Sequence, residues 1–461
     1  MIIVMSDLHL ADSSILAIGE RKYNHNLPPE VYSTYFNEIS EFIRRDNIKD
    51  IDLVLAGDIF EITRSALWLK DHLRPYAHND QVTEGSDLER RIIEILDAIA
   101  ADQRVSATLE IFRNLANQLG RPVRIHYIPG NHDRLLNASR QIRNRTRSFL
   151  GMEPSELPFD NQYLFQSDGE TRVLIRHGHE YDSANFGVDM SRWLEIPTLI
   201  GKGFYDRPSF GDIVTVEIAA KLPILFKDYY TEERILEDQQ LTVLYQRLFD
   251  FDNVRPSNAL INFLFSTPGL TMKEVWRLIE PVFLKLLDDL AFAPEISRQM
   301  ILFSGLTGFS AGSLKAFLKT RLWRRGLPFW MVKTLLTPVS RRVKIGDQTD
   351  IILKEACLLD PTSPVRCIVS GHTHNPLVQL IKVDKGIETY YINTGTFRNA
   401  ITSTPSLQGF GRLRSKARVL IFAHGEQNPE YDRETGWSFD FTTRLGFGAV
   451  PPEENDLSQF D

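Results

Sequence analysis

The chain reads as an α/β protein interrupted by a large helical insertion, and three observations carry that reading. Five short aliphatic runs, at residues 1–5, 51–55, 123–128, 172–176 and 365–369, have the length and β-branched content of buried strands. Between the second and third runs, apolar residues recur at helical spacing: Leu88, Ile92, Ile95, Leu96 and Ile99, then Leu109, Phe112, Leu115 and Leu119. Residues 185–345 read as successive helices broken by prolines 197, 208, 223, 256, 268, 281, 294, 328 and 338.

Each strand run ends in a polar signature. In order these are Asp7-Leu8-His9, Gly57-Asp58, Gly130-Asn131-His132-Asp133, His177-Gly178-His179 and Gly371-His372-Thr373-His374, with Asn393-Thr394-Gly395 following. Open α/β sheets bind ligands at the carboxyl ends of their strands, so side chains from distant parts of the chain can converge there. Residues i and i+2 of a strand project from one face, which pairs Asp7 with His9 and His372 with His374. Of His177 and His179, the first directly ends its strand and precedes a turning glycine, so it is assigned to the metal. His179 is then placed behind it or facing substrate.

Carboxylate, imidazole and amide ligands without cysteine suit Mn, Fe, Zn or Co. They are too many for a single four-coordinate ion, and two ions sharing Asp58 would use them all. Two ions about 3.5–4 Å apart lower the pKa of a bridging water and neutralise phosphoryl oxygens, so that a metal-bridging hydroxide can attack in line at neutral pH. The expected cofactors are therefore two divalent transition-metal ions, Mn foremost.

The signatures and their order resemble the calcineurin-like metallophosphoesterases, marked by D-x-H, GD, GNH(D/E), a strand-end histidine and GHxH. The resemblance covers roughly residues 1–180 and 350–425, and it implies a four-layered α/β/β/α sandwich. It also implies that Asp7, His9, Asp58 and His374 hold the first metal, and Asp58, Asn131, His177 and His372 the second. His132 would assist the leaving group, with Asp133 holding its tautomer, while Arg64 and Arg134 would meet phosphate oxygens. Asp58-Ile59-Phe60-Glu61, the nearby Trp68 and the basic aromatic insertion look like the UDP-diacylglucosamine pyrophosphatase branch. That branch usually has arginine where His132 stands, however, and its chains are about half as long. The expected activity is hydrolysis of a phosphodiester or pyrophosphate, with a nuclease, a lipid-linked nucleotide pyrophosphatase and a non-catalytic scaffold as alternatives. A scaffold would be expected to have lost ligands, and none is lost here.

At 461 residues, 43% hydrophobic and 25% charged, the chain is long enough to bury a large core, which argues against a small binding module. The expected organisation is a discontinuous core, 1–184 and 346–450, a helical cap, 185–345, and a loose acidic tail, 451–461. Two cysteines, Cys357 and Cys367, indicate no disulfide framework. With its first strand at the start of the chain and no apolar run of roughly 18 residues, the protein is expected to be cytoplasmic, without a transmembrane segment. Net charge is −7, yet residues 296–346 carry ten Lys and Arg and no Asp or Glu. The stretch Arg298 to Lys344, interleaved with aromatic and leucine side chains, is expected either to contact an anionic membrane surface peripherally, to grip nucleic acid, or to pack against acidic helices of the same insertion.

Overall fold

The computed structural model describes residues 1–12, 17–18, 21–22, 24–45, 47–255, 259–292, 348–406, 409–426 and 436–447. Its strands are β1 (Ile2–Met5), β2 (Ile51–Ala56), β3 (Val123–Ile128), β4 (Gln162–Ser167), β5 (Glu170–Arg176) and β6 (Val254–Arg255). They continue with β7 (Cys367–Ser370), β8 (Leu377–Asp384), β9 (Ile387–Asn393), β10 (Asn399–Ser403), β11 (Phe410–Ala423) and β12 (Trp437–Phe447), besides a hairpin of Ala17–Ile18 with Arg21–Lys22. The fold is mixed α/β, and both larger sheets are mixed. One runs β3-β2-β1-β11-β10-β6, with β12 also paired to β11, and the other runs β8-β9-β7-β5-β4.

Alternation along the strands decides what each face meets. Ile3, Met5, Leu53 and Leu55 join a buried cluster with Tyr32, Phe36 and Ile39 of α1 (Pro29–Arg45), Ile92, Leu96 and Ile99 of α2 (Asp87–Ala101) and Leu109 and Phe112 of α3 (Gln103–Arg113). The alternate residues Ile2, Val4, Val54 and Ala56 cluster instead with Val173, Ile175, Cys367, Val369 and Ile392 of the second sheet. The residues between those, Leu174, Ile368 and Tyr391, meet Tyr181, Phe186, Ile196 and Ile352.

The helical periodicity of 88–119 is divided at Asp102, which ends α2 and caps α3 by accepting from the amides of Arg104 and Val105. A further short helix, Leu115–Leu119, stops at Gly120 in the left-handed conformation.

The described residues of 202–292 form mainly helices, including α4 (Gln239–Phe249) and α5 (Met272–Phe292). Pro281 was expected to break a helix, but α5 runs through it. Val275, Ile279, Val282 and Leu286 bury one face of α5 in a cluster with Leu222, Leu225 and Phe226 of the helix Lys221–Tyr230, and that packing offsets the hydrogen bond a proline removes. The region also contributes a strand, because β6 pairs in parallel with Ile401 and Thr402 of β10. Its entry and return are tied together: Ile196 N donates to Lys354 O at 2.7 Å, and Ala356 N donates to Ile196 O at 2.8 Å. The basic stretch from Arg298 to Lys344 and the tail 451–461 lie outside the described residues. Among the described residues no helix is long and apolar enough to cross a membrane.

Trp68 is fully buried in the first cluster, and its indole N–H donates to Ile62 O at 2.6 Å, which anchors the loop following β2. Trp68→Ala should therefore lower stability by about 3–5 kcal/mol, read from urea denaturation. A loss under about 1 kcal/mol would show that the loop is held by its other contacts.

Candidate metal centre

All five signatures meet where strands end. β1, β2 and β3 are parallel neighbours, as are β5 and β7, so the carboxyl ends of both sets lie on one edge of their sheets. The turns that follow are stitched to one another: Asp7 N donates to Gly57 O, His9 N to Asp58 O and Gly371 N to His177 O, at 2.8–3.0 Å. Of the eight non-glycine residues with positive φ among those described, five are Asp7, His9, Asp58, His372 and His374. Such backbone costs on the order of 1–3 kcal/mol per residue and persists where surrounding structure over-determines it, commonly at functional sites. Asn393 and Thr394 brace the same turns, Asn393 donating to Gly371 O at 2.6 Å and Thr394 N to Ser370 O at 2.8 Å.

The candidate ligand atoms gather in groups within 4.8 Å of one another: Asp7, His9 and His374; Asp58, His177 and His372; and His9, Glu61 and His132. Hydrogen bonding selects the inward-facing atom of several histidines. His177 Nδ1 lies 2.8 Å from Ala56 O, so it carries a proton and leaves Nε2 facing Asp58 Oδ2 at 3.1 Å and Asn131 Oδ1 at 3.2 Å. His9 Nδ1 lies 2.9 Å from Glu61 Oε2, leaving its Nε2 3.0 Å from His374 Nε2. His372 Nε2 meets Asp182 Oδ2 at 3.1 Å.

These contacts test whether divalent ions fit. A neutral His177 in this tautomer aims an Nε2 lone pair at two oxygens, and His9 and His374 aim nitrogen at nitrogen. Asp7 Oδ1 is buried without a hydrogen bond. A shared cation would satisfy the His177 lone pair and Asp7 Oδ1, whereas His9 and His374 can also settle their contact by one Nε2–H donating to the other ring, and the donor set is the oxygen and imidazole mixture that borderline divalent metals take. The electrostatics agree. Burial alone would raise the Asp7, Asp58 and Glu61 carboxyls, yet the surrounding histidines hold all three below the usual range. Burial would likewise lower His177, but Asp58 and Asp7 push it up to about 10, a measure of how strongly these carboxylates favour positive charge at that point. At His374 burial wins, helped by the Arg255 charge, and the imidazole is held well below its ordinary value.

The expectation that Asp133 orients His132 is corrected. Asp133 is turned into the fold, accepting from the amides of Gly130 at 2.5 Å, Ile59 at 2.8 Å and Phe60 at 3.3 Å. His132 Nδ1 instead meets Glu61 Oε1 at 2.9 Å and the Thr63 hydroxyl at 3.0 Å. Glu61 thus holds His9 with one oxygen and His132 with the other. Its sequence signal was a carboxylate three residues beyond Asp58 on the same loop.

Arg134 is also placed away from the expected phosphate contact. It is buried, donates to Asn79 Oδ1 at 2.6 Å and to the carbonyls of Pro75, Ala77 and Asp206, and pairs with Asp212 at 3.5 Å. Its guanidinium clamps the loop at 75–79 to residues 206–212. His179 joins none of the ligand groups. It is buried against Phe186 and Tyr205, 3.4 Å from Glu180, and burial pushes it down to about 4. Arg64 is buried beside Thr63. Asp182 and Arg255 are contacts that sequence reasoning missed; Arg255 Nη2 lies 3.0 Å from His374 Nδ1.

Residues 1–216 match the family model for calcineurin-like phosphoesterases, and the chain carries a domain of that family over those residues. No curated protein matches the chain. His372 and His374 lie beyond the matched span, so their place in the centre rests on the geometry above.

The glycines of the signatures are dictated by close approach. A Cβ on Gly130 would collide with the carboxylate and backbone nitrogen of Asp58, and one on Gly371 with Ser6 and the Asp7 carboxylate. Gly130→Ala should cost about 1–3 kcal/mol by overpacking and displace Asp58, lowering bound metal measured by elemental analysis. Full metal retention would mean that Asp58 is not needed to hold the ions.

Proposed function

We propose that this calcineurin-like phosphoesterase hydrolyses a phosphodiester or pyrophosphate with two divalent ions. The observation that carries the proposal is the pair of imidazole and carboxylate groups at strand ends, Asp7/His9/His374 and Asp58/His177/His372, all buried except the half-buried His372. In this reading Asp7, His9, Asp58 and His374 hold one ion, and Asp58, Asn131, His177 and His372 the other. When bound, two such ions supply an activated water and neutralise charge on the phosphoryl oxygens. The ions would be Mn, Fe, Zn or Co.

His132 is the proposed general acid. Glu61 holds its Nδ1 and, by its negative charge, favours the protonated ring, so Nε2 is the atom from which a proton would pass to the departing oxygen. Thr63 donates to Glu61 at 2.6 Å and keeps that carboxylate in register. Asp133 contributes indirectly by pinning the backbone of Gly130, Ile59 and Phe60.

The four-layered α/β/β/α arrangement is supported by one apolar cluster shared between the sheets and two others on their opposite faces. The division into a core of 1–184 and 346–450 with a cap of 185–345 is kept as a proposal with one qualification: β6 of the cap segment is a strand of the first sheet. The charge of Arg298 to Lys344 supports an anionic partner.

The purified protein should contain two divalent ions per chain after saturation with Mn and lose phosphoesterase activity on chelation. Elemental analysis showing a single ion would overturn the dinuclear reading. Asp58→Asn should be the most damaging ligand change, because it weakens both positions at once.

His132→Ala should reduce turnover by roughly 10²–10⁴ on alkyl phosphodiesters and much less on nitrophenyl esters, whose leaving group is already a stable anion. Equal losses on both, with metal content intact, would reject the acid role.

A further inference from the structure

Asp182 ends the short 3₁₀ turn that follows β5, and its Oδ2 lies 3.1 Å from Nε2 of His372. It joins none of the gathered ligand groups, so it stands behind His372 rather than beside the ions. Both of its oxygens are oriented by the loop that follows. Oδ1 accepts from Ala184 N at 2.9 Å, Oδ2 accepts from Asn185 Nδ2 at 2.8 Å, and the Asp182 carbonyl accepts from the amides of Asn185 and Phe186, each at 3.0 Å. Phe186 is buried against Tyr205 in the cluster that backs the second sheet, which anchors the far end of this loop.

The loop is fixed in turn by the helical segment. Gly211 N donates to Ala184 O at 2.7 Å, and Gly211 belongs to the helix Phe210–Val214, which Ser209 and Asp212 close with a capping box. A Cβ on Gly211 would collide with Asn185 Oδ1. Contact therefore runs from this helix through Asn185 to Asp182 and on to His372.

An ionised carboxylate only accepts, so His372 donates from Nε2, and its neutral ring then offers the lone pair of Nδ1. That is the reverse of its neighbours. His177 is held at Nδ1 by Ala56 O and His9 at Nδ1 by Glu61, and in His374 Nε2 is the atom 3.1 Å from Asp7 Oδ1. A carboxylate behind a ligating histidine fixes its tautomer and ring orientation and raises its basicity.

We propose that Asp182 is a positioning residue: it makes His372 the one histidine of the centre that takes its ion through Nδ1, and the helix Phe210–Val214 sets this orientation through Asn185. The proposal rests on the two-ion phosphoesterase reading above. It makes the affinity of the ion beside Asp58 depend on how the helical segment is seated.

The test uses the full chain with ¹⁵N-labelled histidine, loaded with Zn²⁺, and long-range ¹H–¹⁵N correlation spectra that report which ring nitrogen carries metal and which carries a proton. Three rings bound through Nε2, those of His9, His177 and His374, and one bound through Nδ1 are expected. A spectrum with no ring bound through Nδ1 would overturn the proposal without recourse to any variant. Asp182→Ala should weaken one of the two ions by roughly 10–100-fold in calorimetric titration with Zn²⁺ and leave the other unchanged, the loss typical of removing a partner behind a metal ligand. Unchanged affinity, or equal loss at both ions, would also overturn it. Gly211→Ala, which alters no ligand, should weaken the same ion; full affinity there would overturn the link to the helix. Failure of the phosphoesterase reading has a different signature, no hydrolysis of any ester by a chain whose spectrum still shows the ring bound through Nδ1.

Discussion

The carboxylate of Asp58 is the constraint around which the rest of the centre is arranged. One oxygen accepts the amide of His132 at 2.8 Å, the other faces His177 at 3.1 Å and His9 at 3.9 Å, and its backbone carbonyl receives His9 N. A carboxylate this deeply buried is unfavourable unless positive charge compensates it. Two sheets, three turns and the close approach of Gly130 all serve to bring that charge to it. Asp7 and Glu61 repeat the demand, which is why three acids and several imidazoles form one unit.

That unit is held by strained turns on a rigid support. The left-handed residues Asp7, His9, Asp58, His372 and His374 follow short strands whose side chains are buried in the apolar clusters of the two sheets. The strands contribute burial on both faces, and the turns spend part of that stabilisation on directing side chains. The ladder from Asp7 N to Gly57 O and from Gly371 N to His177 O prevents relaxation of any one turn without its neighbour.

The segment between β5 and β7 is integrated with this support. Arg134 binds the loop at 75–79 to residues 206–212, Arg74 pairs with Glu217 at 2.6 Å, and β6 extends the first sheet. Arg255 therefore reaches His374 from a fixed strand, and its position depends on sheet pairing as much as on the helices around it.

What the amino-acid sequence determined by itself was local and periodic. Aliphatic runs of five or six residues became the strands β1, β2, β3, β5 and β7, and the polar residues at their ends became the gathered groups. That much was legible because strand geometry alternates side chains and strand ends mark the ligand edge of an α/β sheet. Adjacency in sequence misled at Asp133 and Arg134, since consecutive side chains in a turn diverge: Asp133 faces the amides of Ile59 and Phe60, and Arg134 faces the carbonyls of Pro75 and Ala77. Only the tertiary structure decided that Glu61 holds both His9 and His132, that Asp182 meets His372, and that Arg255 comes to His374. Those pairings join residues 52, 71, 190 and 119 positions apart, and no local periodicity encodes contacts that exist because two sheets and an intervening segment pack together.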